Sequence, residues 1–271
     1  MIPKMDYIIV TYNDIDTIMA TIESIRKQKN VNRLIVVASE RCTDGTLSKL
    51  KTMNLFEDSD VDVLLTENIG LAYARRIAIQ AVETEWFVFV DGDVVLRDNW
   101  SEKMYLLMRY YLNFKLGAMH GSLYRNVEQE KDLKMYFKFK TITDRMFTHN
   151  TIIRATLVKD WIPDNSVNAY EDYLLTQHIR AKGHRCFNVD VFSFHDHRGS
   201  AWKESTWSGA GARVTKRYTS IRAPIKYLVG SIYGGLKRTY RQKKWSFLKI
   251  SIAKGFGTLW GYLRWKKYIK K

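Results

Sequence analysis

The sequence is poor in residues that staple or break a chain. Two cysteines, Cys42 and Cys186, occur in 271 residues, too few for a disulfide framework and in keeping with a reducing compartment. Three prolines exclude a proline-rich linker. No run approaches the roughly 18 uncharged apolar residues of a membrane-crossing helix; the longest lies between Lys226 and Lys237 and is too short. The opening Met1-Ile2-Pro3-Lys4-Met5-Asp6 lacks the apolar stretch of a signal peptide. Acidic residues stop at Glu204. From Ser205 to Lys271 there are 17 basic side chains and no acidic ones, against 27 basic and 28 acidic before them. The net charge of +16 therefore belongs to the tail, and such a block points to a polyanionic partner, either nucleic acid or an anionic membrane face.

A composition of 46% hydrophobic and 13% aromatic residues supplies a sizeable core and excludes a disordered, collagen-like or coiled-coil chain. The length fits one large domain, or one domain with an appendage. Tyr7–Val10, Leu34–Val37, Val61–Leu65 and Trp86–Val90 are apolar runs of strand length. Between them, Ile15, Ile18, Ile22 and Ile25 recur at helical spacing, and a helix is expected over about 71–82. This alternation predicts an α/β fold with a mostly parallel sheet flanked by helices. Open sheets of this type bind ligands beyond the carboxyl ends of their strands. Those ends carry Thr11-Tyr12-Asn13-Asp14, Ser39–Thr46, Glu67-Asn68-Ile69-Gly70 and Asp91-Gly92-Asp93, polar groups able to hold a nucleotide.

Asp91 and Asp93 are the sharpest feature. Two carboxylates two residues apart repel unless a cation lies between them. Mg2+ or Mn2+ meets that need and commonly bridges carboxylates to phosphates; Gly92 lets the backbone approach a ligand closely. Further along, Thr151–Arg154 reads as a strand, Tyr173–Ala181 as a helix stopped by Gly183, and Cys186–Phe194 as another strand. Glu171 and Asp172 fall in the first turn of that helix, where the helix dipole alone favours carboxylates. His195-Asp196-His197-Arg198 follows the last strand, and its two histidines are candidate metal ligands.

Taken in order, these segments resemble the family 2 glycosyltransferases of GT-A fold over roughly residues 5–200. Val10-Thr11-Tyr12-Asn13 with Ile22-Glu23-Ser24-Ile25 is similar to the family's start, and Ser39–Thr46 to its Asp-Asp-Gly-Ser-Thr-Asp-Gly-Thr segment. Asn68-Ile69-Gly70 with Ala74-Arg75, the Asp91-Gly92-Asp93 turn, and Tyr170-Glu171-Asp172 with Leu174 and Gly183 follow in the family's order. Ser39 and Glu40 stand where the family usually has an Asp pair near the nucleobase.

The resemblance implies a nucleotide-diphosphate sugar donor and inversion at the anomeric carbon. It implies base and ribose contacts at Thr11, Tyr12, Asn13, Ser39, Glu40, Asn68 and Gly70. Asp91 is then expected near the ribose or the metal, with Gly92 beside the donor. Asp93 with His195 or His197 would hold Mn2+ or Mg2+, and Arg75, Arg198 or Lys203 would add positive charge. Asp172, beside Glu171 in the acceptor segment, is the expected general base. The donor is expected to carry a hexose, with a lean to mannose from GDP-mannose.

In the tail, Ile225, Leu228, Val229, Ile232, Leu236 and Tyr240 form one helical stripe, and Leu248, Ile252, Phe256, Leu259 and Leu263 a second that Gly255, Gly257 and Gly261 weaken. Lys226, Lys237, Arg238, Arg241 and Lys244 flank the first stripe. Basic, aromatic-rich amphipathic helices bind membranes in plane; stripes that pack on the body with solvated charge are the plainer reading. Residues 1–204 are accordingly expected to be the catalytic domain and 205–271 a membrane-associating region. The expected enzyme is peripheral or monotopic, at the cytoplasmic face of a membrane, and acts on a polyprenyl or dolichyl phosphate or a lipid-linked glycan. A soluble or cell-surface glycan acceptor is the alternative. Nucleic acid is the weaker partner: no recognised nucleic-acid motif occurs, and bare rim carboxylates would repel phosphate.

Overall fold

The computed structural model of the chain describes residues 2–67, 70–124, 142–163, 170–195, 201–216 and 218–265, with backbone alone at 203, 204 and 214. Two compact units divide the chain. The first takes in Met1–Ile69, Tyr73–Ile162 and Leu175–His197, and the second Gly70–Ala72, Pro163–Leu174 and Arg198–Lys271.

The elements run β1 (Met5–Thr11), α1 (Ile18–Arg26), β2 (Val31–Ser39), α2 (Thr46–Thr52), β3 (Val61–Thr66), α3 (Leu71–Ala81), β4 (Trp86–Asp91), β5 (Val94–Leu96), α4 (Trp100–Leu112), β6 (Leu116–Tyr124), β7 (Asn150–Arg154), α5 (Glu171–Ala181), β8 (Arg185–His195), α6 (Ala201–Val214), α7 (Arg222–Gln242) and α8 (Ser246–Leu263).

In the first unit the sheet has eight strands in the order β3-β2-β1-β4-β7-β6-β8-β5. From β3 to β4 every pairing is parallel, as the alternation of strands and helices predicts. Beyond β4 the sheet is mixed: β7 runs antiparallel to β4 and β6, β8 parallel to β6, and β5 antiparallel to β8. Strand direction leaves no mark on side-chain period, which is why the mixed half is not visible in the pattern. The core follows from the apolar runs. Tyr7, Ile8 and Ile9 of β1 and Phe87 and Val88 of β4 are fully enclosed, as strands covered on both faces must be. Ile18, Ile22 and Ile25 of α1 are likewise at 0% exposure, each stabilising by on the order of 1.5–3 kcal/mol relative to exposure.

α1 also buries polar side chains, and they fix the acidic turn. Thr21 Oγ1 donates to the Gly92 carbonyl (3.0 Å) and Ser24 Oγ accepts from Leu96 N (3.0 Å). Gln28 Nε2 donates to the Arg97 carbonyl (2.9 Å) while its Oε1 accepts from Ser101 N (3.0 Å). Two residues of α1 and Gln28, just past its end, thus grip the chain from the turn to the start of α4.

In the second unit α8 packs against α6 and α7 through glycines. A Cβ on Gly209 would meet the Thr258 carbonyl oxygen at 1.9 Å, and one on Gly261 the Thr206 carbonyl oxygen at 1.9 Å. Gly235 backs onto Ser251 and Leu248, and Gly255 onto Leu228, so α7 and α8 run antiparallel. The glycines expected to weaken α8 lie inside a helix continuous from Ser246 to Leu263, at its points of closest contact. Leu228 and Leu248 meet these glycines and Tyr262 is buried, while a second set of large apolar residues faces outward. Ile225, Val229, Leu236 and Tyr240 of α7 and Ile252, Phe256, Trp260 and Leu263 of α8 are all exposed. At about 100° per residue both sets fall on the same side of the hairpin, beside the line of contact.

Candidate active site

The ends of β1 to β4 share one edge of the first unit. Register pairs Val10 with Asp91, Thr11 with Ala38 and Ser39 with Thr66, so the polar segments after these strands emerge together as the topology requires. Thr11 is buried, whereas Tyr12, Asn13 and Glu40 are exposed and Ser39 is half-buried. Asn13 adopts a left-handed backbone (φ 60°), a conformation that Asn tolerates better than most residues. Its side chain ties the first two loops: Oδ1 accepts from Thr43 N (2.8 Å) and Nδ2 donates to Thr43 Oγ1 (3.4 Å). Ile15 N donates to Asp44 Oδ2 (2.9 Å), and Thr46 Oγ1 donates to Asp44 Oδ1 (2.6 Å). Gly70 has φ 89°, which a residue with a Cβ rarely adopts.

The acidic turn is anchored on several sides. Asp91 N donates to the His149 carbonyl (3.2 Å). Arg75, 4% exposed, donates from Nη2 to Asp91 Oδ1 (3.1 Å). Burial pushes the Asp91 carboxyl above its ordinary pKa, Arg75 pulls it back, and the neighbouring Asp93 raises it further; the side chain is crowded by protein yet keeps 41% of its surface exposed. The antiparallel pairing of β5 and β8 sets Val94 opposite His195, which brings His195 Nε2 to 2.9 Å from Asp93 Oδ2. The sheet thus joins a carboxylate and an imidazole that lie 102 residues apart in sequence.

Asp14, read from the sequence only as part of the polar rim, has a particular place in the structure. Its Oδ2 accepts from Thr11 Oγ1 (2.8 Å) and Tyr12 N (3.2 Å). Burial raises its pKa, these hydrogen bonds lower it, and Asp93 and Asp91 raise it again. Thr21 is hidden from a hydrophobic pattern. The available signal was its place one turn after Ile18, a polar residue on the apolar face of a helix.

Glu171 and Asp172 open α5, whose first residues to Leu174 belong to the second unit. Tyr170 before them has φ 71°, a strained value for an aromatic residue. Both carboxylates are buried, at 6% and 5% exposure, unlike the solvated first-turn acids that a helix dipole alone explains. Asp172 Oδ1 accepts from Tyr173 N (2.7 Å). Asn68, His197 and Arg198 lie outside the described residues, as does the side chain of Lys203. Among the described residues no group of three His, Cys, Asp or Glu side chains is gathered in a form that could hold an ion.

A parallel β-edge of polar loops and a doubly acidic turn define a GT-A-like α/β protein. The sequence profile of glycosyl transferase family 2 matches residues 6–158, and the chain belongs to that family. The Staphylococcus epidermidis teichoic acid poly(glycerol phosphate) polymerase is 33% identical over 93 residues, 33% of this chain and 13% of that protein. The Escherichia coli UDP-Glc:alpha-D-GlcNAc-diphosphoundecaprenol beta-1,3-glucosyltransferase WfaP is 26% identical over 205 residues, 71% of this chain and 77% of that one. The chain spans about half the length, or less, of the first curated relatives it matches. Among solved structures, the mannosyltransferase PcManGT of Pyrobaculum calidifontis, in complex with GDP-Man and Mn2+, superposes with a TM-score of 0.68 over 96% of this chain and 88% of that one. At 16% identity it shares the fold.

Proposed function

We propose that the chain is an inverting glycosyltransferase that moves a hexose from a nucleotide-diphosphate sugar to a lipid-linked acceptor at a membrane face, with Mn2+ or Mg2+. The observation that carries the reading is the Asp91-Gly92-Asp93 turn with His195 Nε2 2.9 Å from Asp93 Oδ2. The contact is a hydrogen bond as it stands, and it brings together a carboxylate and an imidazole that could both turn to a divalent cation. Carboxylate oxygens with one imidazole suit Mn2+ or Mg2+. Asp93 and His195 would hold the ion beside Asp91, with donor phosphates and water supplying the remaining ligands. When bound, it neutralises charge gathering on the departing diphosphate.

The chain's own residues do the rest. Thr11, Tyr12, Asn13, Ser39 and Glu40 would serve base and ribose, with Asn68 and Gly70 as the further expected contacts, and Arg75 orients Asp91. Arg198 and Lys203, beyond the described side chains, would be the sources of further positive charge for the diphosphate. Asp172, with Glu171, orients the acceptor hydroxyl and takes its proton. A GDP-mannose donor draws support from the Pyrobaculum neighbour, and an acceptor on a polyprenyl carrier from the printed name of the Escherichia coli relative. Residues 205–271 would hold the enzyme on an anionic membrane, the exposed stripes of α7 and α8 lying in plane.

Calorimetry with GDP-mannose and UDP-glucose, with and without Mn2+, tests the donor half. Asp93→Ala should lose the metal-dependent part of binding. Asp172→Asn should bind donor as the parent protein does, yet transfer no radiolabelled sugar into organic-extractable lipid. Full transfer by Asp172→Asn would remove it as the base, and label found only in water-soluble glycan would remove the lipid acceptor.

A further inference from the structure

Three parts of the first unit meet at Asp14. Its carboxylate takes the Thr11 hydroxyl and the Tyr12 amide. Its amide donates to Thr46 Oγ1 (3.0 Å), at the start of α2. Its carbonyl accepts from Thr17 N (3.0 Å) and Ile18 N (2.9 Å), which opens α1. A Cβ on Gly92 would lie 2.6 Å from Asp14 Oδ2, so the carboxylate occupies the place where any larger residue in the middle of the acidic turn would put its side chain. A third carboxylate set against Asp91 and Asp93 costs repulsion that a neutral residue would avoid. Packing alone therefore does not account for an acid here.

We propose that Asp14 is a positioning residue for the donor. Its carboxylate fixes the 11–12 backbone beside the middle of the acidic turn, and its amide ties the same loop to Thr46, so that nucleoside and diphosphate are bound at one set separation. Gly92 is glycine because Asp14 fills the space of its missing side chain. The inference rests on the nucleotide-sugar reading above.

The test is calorimetry of GDP, UDP and inorganic pyrophosphate, each with Mn2+, on the full chain. Loss of two hydrogen bonds to a carboxylate should weaken GDP or UDP binding by about ten-fold in Asp14→Ala, while Mn2+-pyrophosphate, which spans the turn alone, binds as before. Asp14→Asn, which keeps an acceptor oxygen in place, should recover most of the loss. Gly92→Ala should also weaken nucleotide binding, and less so in the Asp14→Ala background, where its Cβ has room. Equal loss of nucleotide and pyrophosphate in Asp14→Ala would mean a folding defect and overturn the inference, as would unchanged nucleotide binding. A parent protein that binds neither GDP nor UDP overturns the nucleotide-sugar reading and this inference with it; a parent that binds beside an unaffected Asp14→Ala overturns this inference alone.

Discussion

His149 gives its carbonyl to the Asp91 amide and buries its ring beside His120 and Phe147, at centroid distances of 6.0 and 5.6 Å. Its Nε2 has no hydrogen-bond partner among the described residues. Burial, then the nearby His120, holds its pKa well below the ordinary imidazole value. The unfolded chain takes up this proton near pH 6.5, and the folded chain resists it. The unfolded state therefore binds more protons between the two values. Stability from this group is complete above about pH 6.5 and declines as pH falls toward the folded value. The thermal midpoint should drop between about pH 7.5 and 5.5, and His149→Gln should shrink that drop; an equal drop in both proteins would assign the acid sensitivity elsewhere. His149 was not legible in the sequence, and Asp14 was legible only as one more polar residue of the rim. Each is a single polar residue whose meaning comes from neighbours far along the chain, whereas Asp91 and Asp93 announce themselves as two like charges ending an apolar strand.

Among the elements, the strands at 7–10, 34–37, 61–65 and 86–90 were legible because burial on both faces forces unbroken apolar runs. β5, three residues long, is too short to carry a period. α6 hides behind Gly209 and Gly211, which read as loop until their use is known. The glycines of the C-terminal helices divide by surroundings, and so do their expected substitutions. Gly261→Ala sets a methyl group 1.9 Å from the Thr206 carbonyl oxygen and should destabilise by about 1–3 kcal/mol as overpacking does. Gly230→Ala and Gly234→Ala meet nothing within 4 Å and should each stabilise by roughly 0.5–1 kcal/mol through helix propensity. Thermal unfolding of the three variants separates close contact from flexibility as the reason for glycine; a stable Gly261→Ala would mean that α6 and α8 do not touch as described.

Across the whole molecule, the 17 basic residues after Glu204 share the tail with the outward stripes of α7 and α8. Each Lys or Arg at an anionic bilayer contributes about 1 kcal/mol, and salt weakens that term but leaves apolar insertion in place. Val229→Asp with Phe256→Asp should therefore reduce binding to phosphatidylserine vesicles even at low salt and leave nucleotide binding intact; undiminished vesicle binding would mean that the stripes do not enter the bilayer. The sheet carries a different consequence, in the order of synthesis. β5 hydrogen-bonds to β8 at the edge of the sheet, so it has no strand to join until residues 185–195 leave the ribosome. By then β1 to β4 and the acidic turn have long been made, and domains fold as their chains emerge. His195 reaches Asp93 only when β8 takes its place between β6 and β5. The nascent protein thus carries its carboxylates for about a hundred residues of elongation before their imidazole partner arrives, and that pairing marks completion of the sheet.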